Sequence, residues 1–190
     1  MDSITATQMI GGKGSRKRSE TDFYPTPPEV TIALLDFLRL PKNTVIWEPA
    51  CGEFDMYNVL CDYAGVEEVL GSDINFGKGV DFLKSDLIRE DVSFIITNPP
   101  FSASEEFIRH ALDLDVPFAF LLKSQYWHAA RRYDLFEECP PSYVLPLTWR
   151  PDFLFKQEGK HSPLMDVIWC VWMRDGGPTI YEPLPRPEGI

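Results

Sequence analysis

The chain has 190 residues, of which 44% are apolar and 25% charged, values that suit a single globular domain with a sizeable core. No apolar run reaches the roughly 18 residues needed to cross a bilayer, and the N-terminus lacks the charged-then-apolar order of a secretory signal. The net charge of −11 argues against a surface coated in basic residues for nucleic acid, although one cleft or tail of opposite sign remains compatible with it.

Residues 1–21 are polar, Gly/Ser-rich and basic through Lys13, Arg16, Lys17 and Arg18, and predict a mobile tail. Next, "TPPEVTIALLDFLRL" predicts a helix. Thr26 is its expected N-cap, Pro27 its first residue and Glu29 the partner in a capping box, with Val30, Ala33, Leu34 and Phe37 on one face. "NTVIWEP" reads as a first strand ending in the loop "ACGE", and "FDMYNVLCDYAG" as a helix stopped by Gly65. "EEVLGSD" predicts a second strand, "INFGKG" a turn, "VDFL" a brief third strand and "VSFIITN" a fourth. Ser102 or Ser104 is expected to cap the helix "EEFIRHALDL". "VPFAFLLK" follows as a fifth strand, "YWHAARRYDLFEE" as a helix, and "SYVLPLT" and "LMDVIWCVWM" as strands six and seven. The expected organisation is one domain over residues 22–175, a Pro-rich extended tail over 176–190, and no separate target-recognition domain. The four cysteines form no CxxC pair and no Cys/His cluster, which predicts reduced thiols, a cytoplasmic location and no bound metal.

Strands alternating with helices indicate an α/β fold with a doubly wound, mainly parallel sheet. Such sheets bind ligands at the carboxyl ends of their strands. Polar residues gather at those ends: Glu48 after strand one, Asp73 after strand two, Asp81 near strand three and Asn98 after strand four. The glycine-containing turn after Glu48 lets backbone amides approach a ligand, though such turns also use glycine for geometry alone. A carboxylate at Asp73 can accept both hydroxyls of a ribose, and Asp in "SDIN" is equally a turn former. Asp81 can receive an adenine amine while Phe82 packs on the ring, or it can be a surface residue beside a core Phe. Together these residues point to an adenosine-bearing cofactor, with no GxGxxG or P-loop for a large phosphate.

The segment "FIITNPPF" is the most specific. Two consecutive prolines cannot continue a central strand. Their function is explicable if the substrate is a planar, conjugated amine. Two acceptors on its two hydrogens draw the nitrogen toward tetrahedral geometry and free its lone pair. Asn98 supplies one acceptor from its side chain and Pro99 the other from its carbonyl, Pro100 keeps the loop rigid, and Phe101 offers a ring on which a base can stack.

These residues resemble those of S-adenosylmethionine-dependent amino-methyltransferases, specifically DNA adenine methyltransferases. "NPPF" at 98–101 resembles their catalytic motif, and "EPACGE" at 48–53 the cofactor motif after strand one. "SDI" at 72–74 and "DFL" at 81–83 resemble the ribose and adenine contacts, and "YPTPPEV" at 24–30 the segment that closes over the methionine end. The order of motifs is that of the gamma class. "EEFIRHAL", "RRYDLF" and "WCVW" resemble methyltransferases encoded by bacteriophages. The resemblance covers about residues 22–173. It implies the class I methyltransferase fold, a seven-stranded mainly parallel sheet with a reversed last strand. It further implies S-adenosylmethionine without metal, DNA as the partner, and a cytoplasmic site of action, in the host if phage-encoded. It places Tyr24, Pro25, Thr26, Glu48, Pro49, Ala50, Cys51 and Gly52 around the methionine end, Asp73 and Ile74 on the ribose, and Asp81 and Phe82 on the adenine. Asn98, Pro99, Pro100 and Phe101 are the implied catalytic set, with Asn98 also at the cofactor.

The chain departs from the resemblance in having Phe54 where many relatives have a second glycine, which is expected to narrow the methionine pocket. Almost no helix fits between Asp73 and Val80. Sequence choice is therefore expected from the loops "SQYWHAARR" and "WRPDFLFKQEGKHS", with Lys123, Arg131, Arg132, Arg150 and Lys156 meeting phosphates. Methylation of a protein glutamine or of RNA adenine, and cofactor binding without catalysis, are the competing readings.

Overall fold

Strands rich in β-branched and aromatic residues with no polar face must be covered on both sides. In the computed structural model, which describes residues 23–63, 65–75, 79–86, 89–156 and 165–189, this is what happens. Every residue of β1 (Thr44–Glu48), β3 (Phe94–Thr97) and β6 (Val167–Trp172) is buried, as is β4 (Phe118–Lys123) up to its last residue. Successive residues of a strand point to opposite faces, so each strand feeds two cores. Ile46, Ile96, Leu121 and Trp169 pack with Val30, Leu34 and Leu60 on one face. Trp47, Ile95, Phe120 and Cys170 pack with Phe107, Ile108 and Leu135 on the other.

Among the described residues seven strands form one sheet in the order β2-β1-β3-β4-β6-β5-β7, with β2 at Val66–Gly71, β5 at Tyr143–Pro146 and β7 at Ile180–Tyr181. β2, β1, β3 and β4 run parallel, and β6 is antiparallel to both β4 and β5. Helices α1 (Pro28–Leu38) and α2 (Asp55–Asp62) cover the first face, while α3 (Ser104–Asp113) and α4 (Tyr133–Glu138) cover the second. The chain moves outward from β1 to β2 and returns to place β3 on the other side of β1. That reversal opens a crevice between the carboxyl ends of β1 and β3.

The reversed strand is the long apolar strand with which the sequence reading ends, here β6. Several expected elements differ. "VDFL" is a 3-10 turn at Phe82–Lys84, because the Asp81 carboxylate accepts the Leu83 amide at 3.2 Å and competes with strand pairing. The seventh strand comes instead from the Pro-rich tail, where Ile180–Tyr181 pairs parallel to β5 and Leu184 is buried. Strand β2 lies at the sheet edge, and only Val69 of it is fully buried.

The capping box before α1 does not form. The N-cap position falls on Pro27, which has no side-chain acceptor, the helix begins at Pro28 without a side-chain cap, and the Thr26 hydroxyl accepts from Asn98 instead. Ser104 is the first residue of α3, and its hydroxyl donates back to the Pro100 and Phe101 carbonyls. The helix expected across 126–138 breaks into two 3-10 turns and the short α4, since the Arg132 guanidinium takes the Tyr126 carbonyl at 2.7 Å. The N-terminal tail and its basic cluster lie outside the described residues.

Candidate active site at the carboxyl rim of the sheet

Because β2, β1, β3 and β4 are parallel neighbours, the residues that end them line one rim in the order Asp73, Glu48, Asn98, Lys123. Glu48 pairs in register with Gly71, which sets Asp73 beside the loop that follows β1.

That loop is held from below. The Gly52 amide donates to Asp73 Oδ2 at 3.0 Å and the Asn75 amide to Oδ1 at 2.7 Å. The Cys51 amide donates to the Ser72 carbonyl at 3.0 Å. Gly52 adopts φ +49, and a Cβ built on it would overlap the Phe23 ring. Glycine is therefore required both by the left-handed backbone and by the ring above it. Burial, reinforced by Glu48 and Asp73, pushes the Cys51 thiol up to about 12, so it is neutral at physiological pH.

Glu48 is 2% exposed, and its Oε2 has no hydrogen-bond partner among the described residues. Burial first, then the carboxylates of Asp55 and Asp73, raise its pKa well above the usual carboxylate range. An acidic group with an empty buried acceptor suits a cationic ligand group. Phe54 sits at φ +66, the left-handed conformation that a glycine adopts without strain, and its ring packs edge-on against Tyr57 at 5.5 Å. Its exposure of 41% places the ring outward, on the α2 side of the loop.

Asn98 lies immediately beyond β3. Its Nδ2 donates to the Tyr24 carbonyl at 3.2 Å and to Thr26 Oγ1 at 3.1 Å. Its Oδ1 is buried and has no hydrogen-bond partner among the described residues. A carbonyl can only accept, so the Tyr24 contact fixes which end of the amide is which. Pro99 is buried, and Pro100 (φ −51, ψ 122) hands its carbonyl to the Ala103 amide at 2.9 Å. The Phe101 ring tilts against Tyr24 at 5.3 Å, and Lys123 Nζ lies 4.5 Å over it.

Asp81, expected at the adenine, caps the 3-10 turn and pairs with Lys84 at 2.7 Å, an interaction that holds its carboxyl below the ordinary value. Phe82 corrects the expectation of a free ring face. Its ring is buried against Trp47, Phe107 and His110. Ile74 is exposed and available beside Asp73. Pro49 is buried and Ala50 half-buried behind the loop, and Pro25 is half-buried between Tyr24 and Thr26.

The five cations expected at phosphates are differently placed. Arg132 stacks 3.9 Å over Tyr126 and approaches Glu105 at 3.8 Å. Arg150 pairs with Asp166 at 2.7 Å, and Lys156 bridges Glu53 and Asp55 at 3.2 and 2.6 Å. Arg131 is 73% exposed at 4.0 Å from Glu105, and Lys123 stands over the Phe101 ring. The sequence reading missed the Phe23 ring on Gly52 and the Tyr24 carbonyl on Asn98. Its available signal was the aromatic pair directly before "PTPP".

No protein-family model and no curated protein matches the chain. Solved structures do. A Listeria monocytogenes protein described as a class I S-adenosylmethionine-dependent methyltransferase superposes with a TM-score of 0.58 at 15% identity, over 87% of this chain and 67% of that one. The methyltransferase subunit of a Streptococcus thermophilus type I restriction-modification system gives a TM-score of 0.58 at 12% identity over 84% of this chain. This chain spans less than half of that subunit, 47% of its length. The 23S rRNA methyltransferase ErmE gives 0.56 at 14% identity, over 80% of this chain and 70% of its own. The fold is that of the class I methyltransferases.

Proposed function

We propose that this protein transfers a methyl group from S-adenosylmethionine to the exocyclic amine of adenine in DNA, with short or degenerate sequence specificity. The observation that carries the reading is the Asn98 amide, whose donor end is consumed by Tyr24 and Thr26 while its buried acceptor end has no partner among the described residues. A buried acceptor without a donor costs about 1–3 kcal/mol. That expense is explained if a substrate N–H completes it. The likeness to class I methyltransferases supports the reading at the level of the fold.

The rim fits the cofactor. The Oε2 of Glu48, without a partner among the described residues, suits its ammonium group, and Asp73 keeps lone pairs for ribose hydroxyls beyond its two backbone bonds. Tyr24, Pro25, Thr26, Pro49, Ala50, Cys51, Ile74, Asp81 and Phe82 complete the assigned surround. Bound there, S-adenosylmethionine supplies an electrophilic methyl group.

The chain's own residues do the rest. Asn98 Oδ1 and the Pro99 carbonyl accept the two amine hydrogens and draw the nitrogen toward tetrahedral geometry. Pro100 fixes the loop, and Phe101 stacks the flipped base, a contact worth about 1–3 kcal/mol. The methylated nitrogen is acidic and needs no strong base. Positioning dominates, with nucleophile and methyl carbon about 3–3.5 Å apart.

The close pairing of Arg132, Arg150 and Lys156 with neighbours leaves the exposed Arg131 as the main candidate for phosphate contact. The likeness to an rRNA methyltransferase makes RNA adenine the second acceptor to test. Incubation with methyl-labelled S-adenosylmethionine and separated DNA, RNA and protein acceptors decides. Label on DNA N6-methyladenine supports the proposal. Label on RNA or protein alone replaces the acceptor, and none on any acceptor refutes the reaction.

A further inference from the structure

We propose that Thr26 is a positioning residue for Asn98, and that its hydroxyl holds the amide in the orientation set by the Tyr24 carbonyl, with Oδ1 facing the reacting amine. This rests on the methyltransferase reading above and deepens it. The two ends of an asparagine amide are nearly equal in size, so packing alone does not choose between them. A flipped amide would point two hydrogens at an amine that needs acceptors. Something must hold Nδ2 away.

Two acceptors do so, from a segment 72 and 74 residues away in the chain. The Tyr24 carbonyl takes one Nδ2 hydrogen at 3.2 Å and Thr26 Oγ1 the other at 3.1 Å. Both residues are buried, at 7% and 4% exposure, so water does not replace either contact. Each precedes a proline, Pro25 or Pro27, and the residue before a proline is confined to extended backbone. "YPTP" thus presents its acceptors on a backbone with little freedom.

The same sequence frees the hydroxyl for the task. A threonine before a helix ordinarily accepts an amide of the first turn, but Pro27 and Pro28 displace the cap, and α1 starts without one. The segment is anchored at both ends of the rim. The Tyr24 ring meets Phe101 at 5.3 Å and Phe153 edge-on at 6.4 Å, and the Phe23 ring covers Gly52. Residues 23–26 therefore join the loop after β1 to the loop after β3.

The test uses the full chain with Thr26→Val, which keeps shape and removes the acceptor, and Thr26→Ser, which keeps the acceptor. Methyl transfer should fall about tenfold or more in kcat for Thr26→Val. Affinity for the demethylated cofactor product, measured by calorimetry, should fall by a smaller factor than kcat, and Thr26→Ser should recover most of the turnover. In the cofactor-free protein, the Asn98 side-chain NH2 pair, assigned by its loss in Asn98→Ala, should exchange slowly in wild type and Thr26→Ser and rapidly in Thr26→Val. Unchanged turnover in Thr26→Val, or lost cofactor affinity at unchanged kcat, overturns the proposal. Should wild type methylate nothing, the methyltransferase reading fails, and the NH2 exchange of Thr26→Val still decides whether Thr26 orients Asn98.

Discussion

Asn98→Ala separates a catalytic side chain from a structural one. The substitution deletes two hydrogen bonds, at 3.2 and 3.1 Å, each worth a net 0.5–1.5 kcal/mol or so. It leaves the Tyr24 carbonyl and Thr26 hydroxyl short of a donor. It also deletes a buried oxygen with no partner, whose burial costs about 1–3 kcal/mol. The two acceptors left unmatched outweigh the one orphan removed, so net stability should fall by about 1–2 kcal/mol. For a domain of this size that lowers Tm by roughly 2–8 °C. Turnover should meanwhile fall by about 100-fold or more, because the lost acceptor acts in the transition state. Thermal unfolding and labelled methyl transfer, run on the same preparation, read both quantities. A Tm lowered by about 10 °C would show that the side chain exists to hold the fold. Turnover near wild type would remove the catalytic reading of "NPPF" altogether.

Three further outcomes are expected. Glu48→Gln should flatten the pH dependence of stability. The raised carboxyl binds a proton in the folded state, so its contribution is fully present below the ordinary value of about 4.3 and is lost as pH rises through the folded pKa; urea unfolding across pH that shows equal slopes for both proteins would contradict this. Arg132→Ala should destabilise by about 1–3 kcal/mol, since it loses the Tyr126 carbonyl and the ring beneath the guanidinium, whereas Arg131→Ala should leave stability within about 0.5 kcal/mol and weaken DNA binding. Equal stability losses would mean that the two arginines share one role. Gly52→Ala must relieve an overlap with the Phe23 ring at a backbone of φ +49, so affinity for S-adenosylmethionine should drop about tenfold, which calorimetry measures directly.

The sequence by itself determined what is local. Runs such as "TVIWE", "FIIT" and "VIWCVW" have no polar face, and that alone requires cover on both sides of the sheet. The polar residue that ends each parallel strand then falls on one rim whatever the loops do, so Glu48, Asp73 and Asn98 were legible together. The capping box was a local reading that failed, because the helix starts one residue later with Pro27 at the N-cap, and Thr26 turns to Asn98 instead. "VDFL" failed because the Asp81 side chain out-competed pairing, and the tail strand Ile180–Tyr181 was invisible because it exists only where β5 offers an edge. Tertiary structure alone decided which end of the Asn98 amide faces outward, which ring covers Gly52, and that Lys156 lies between Glu53 and Asp55, 103 and 101 residues away. Spacing along a chain constrains the direction of a side chain within one element. The partner it meets is set by the crossing of elements that carry no mutual signature in the sequence.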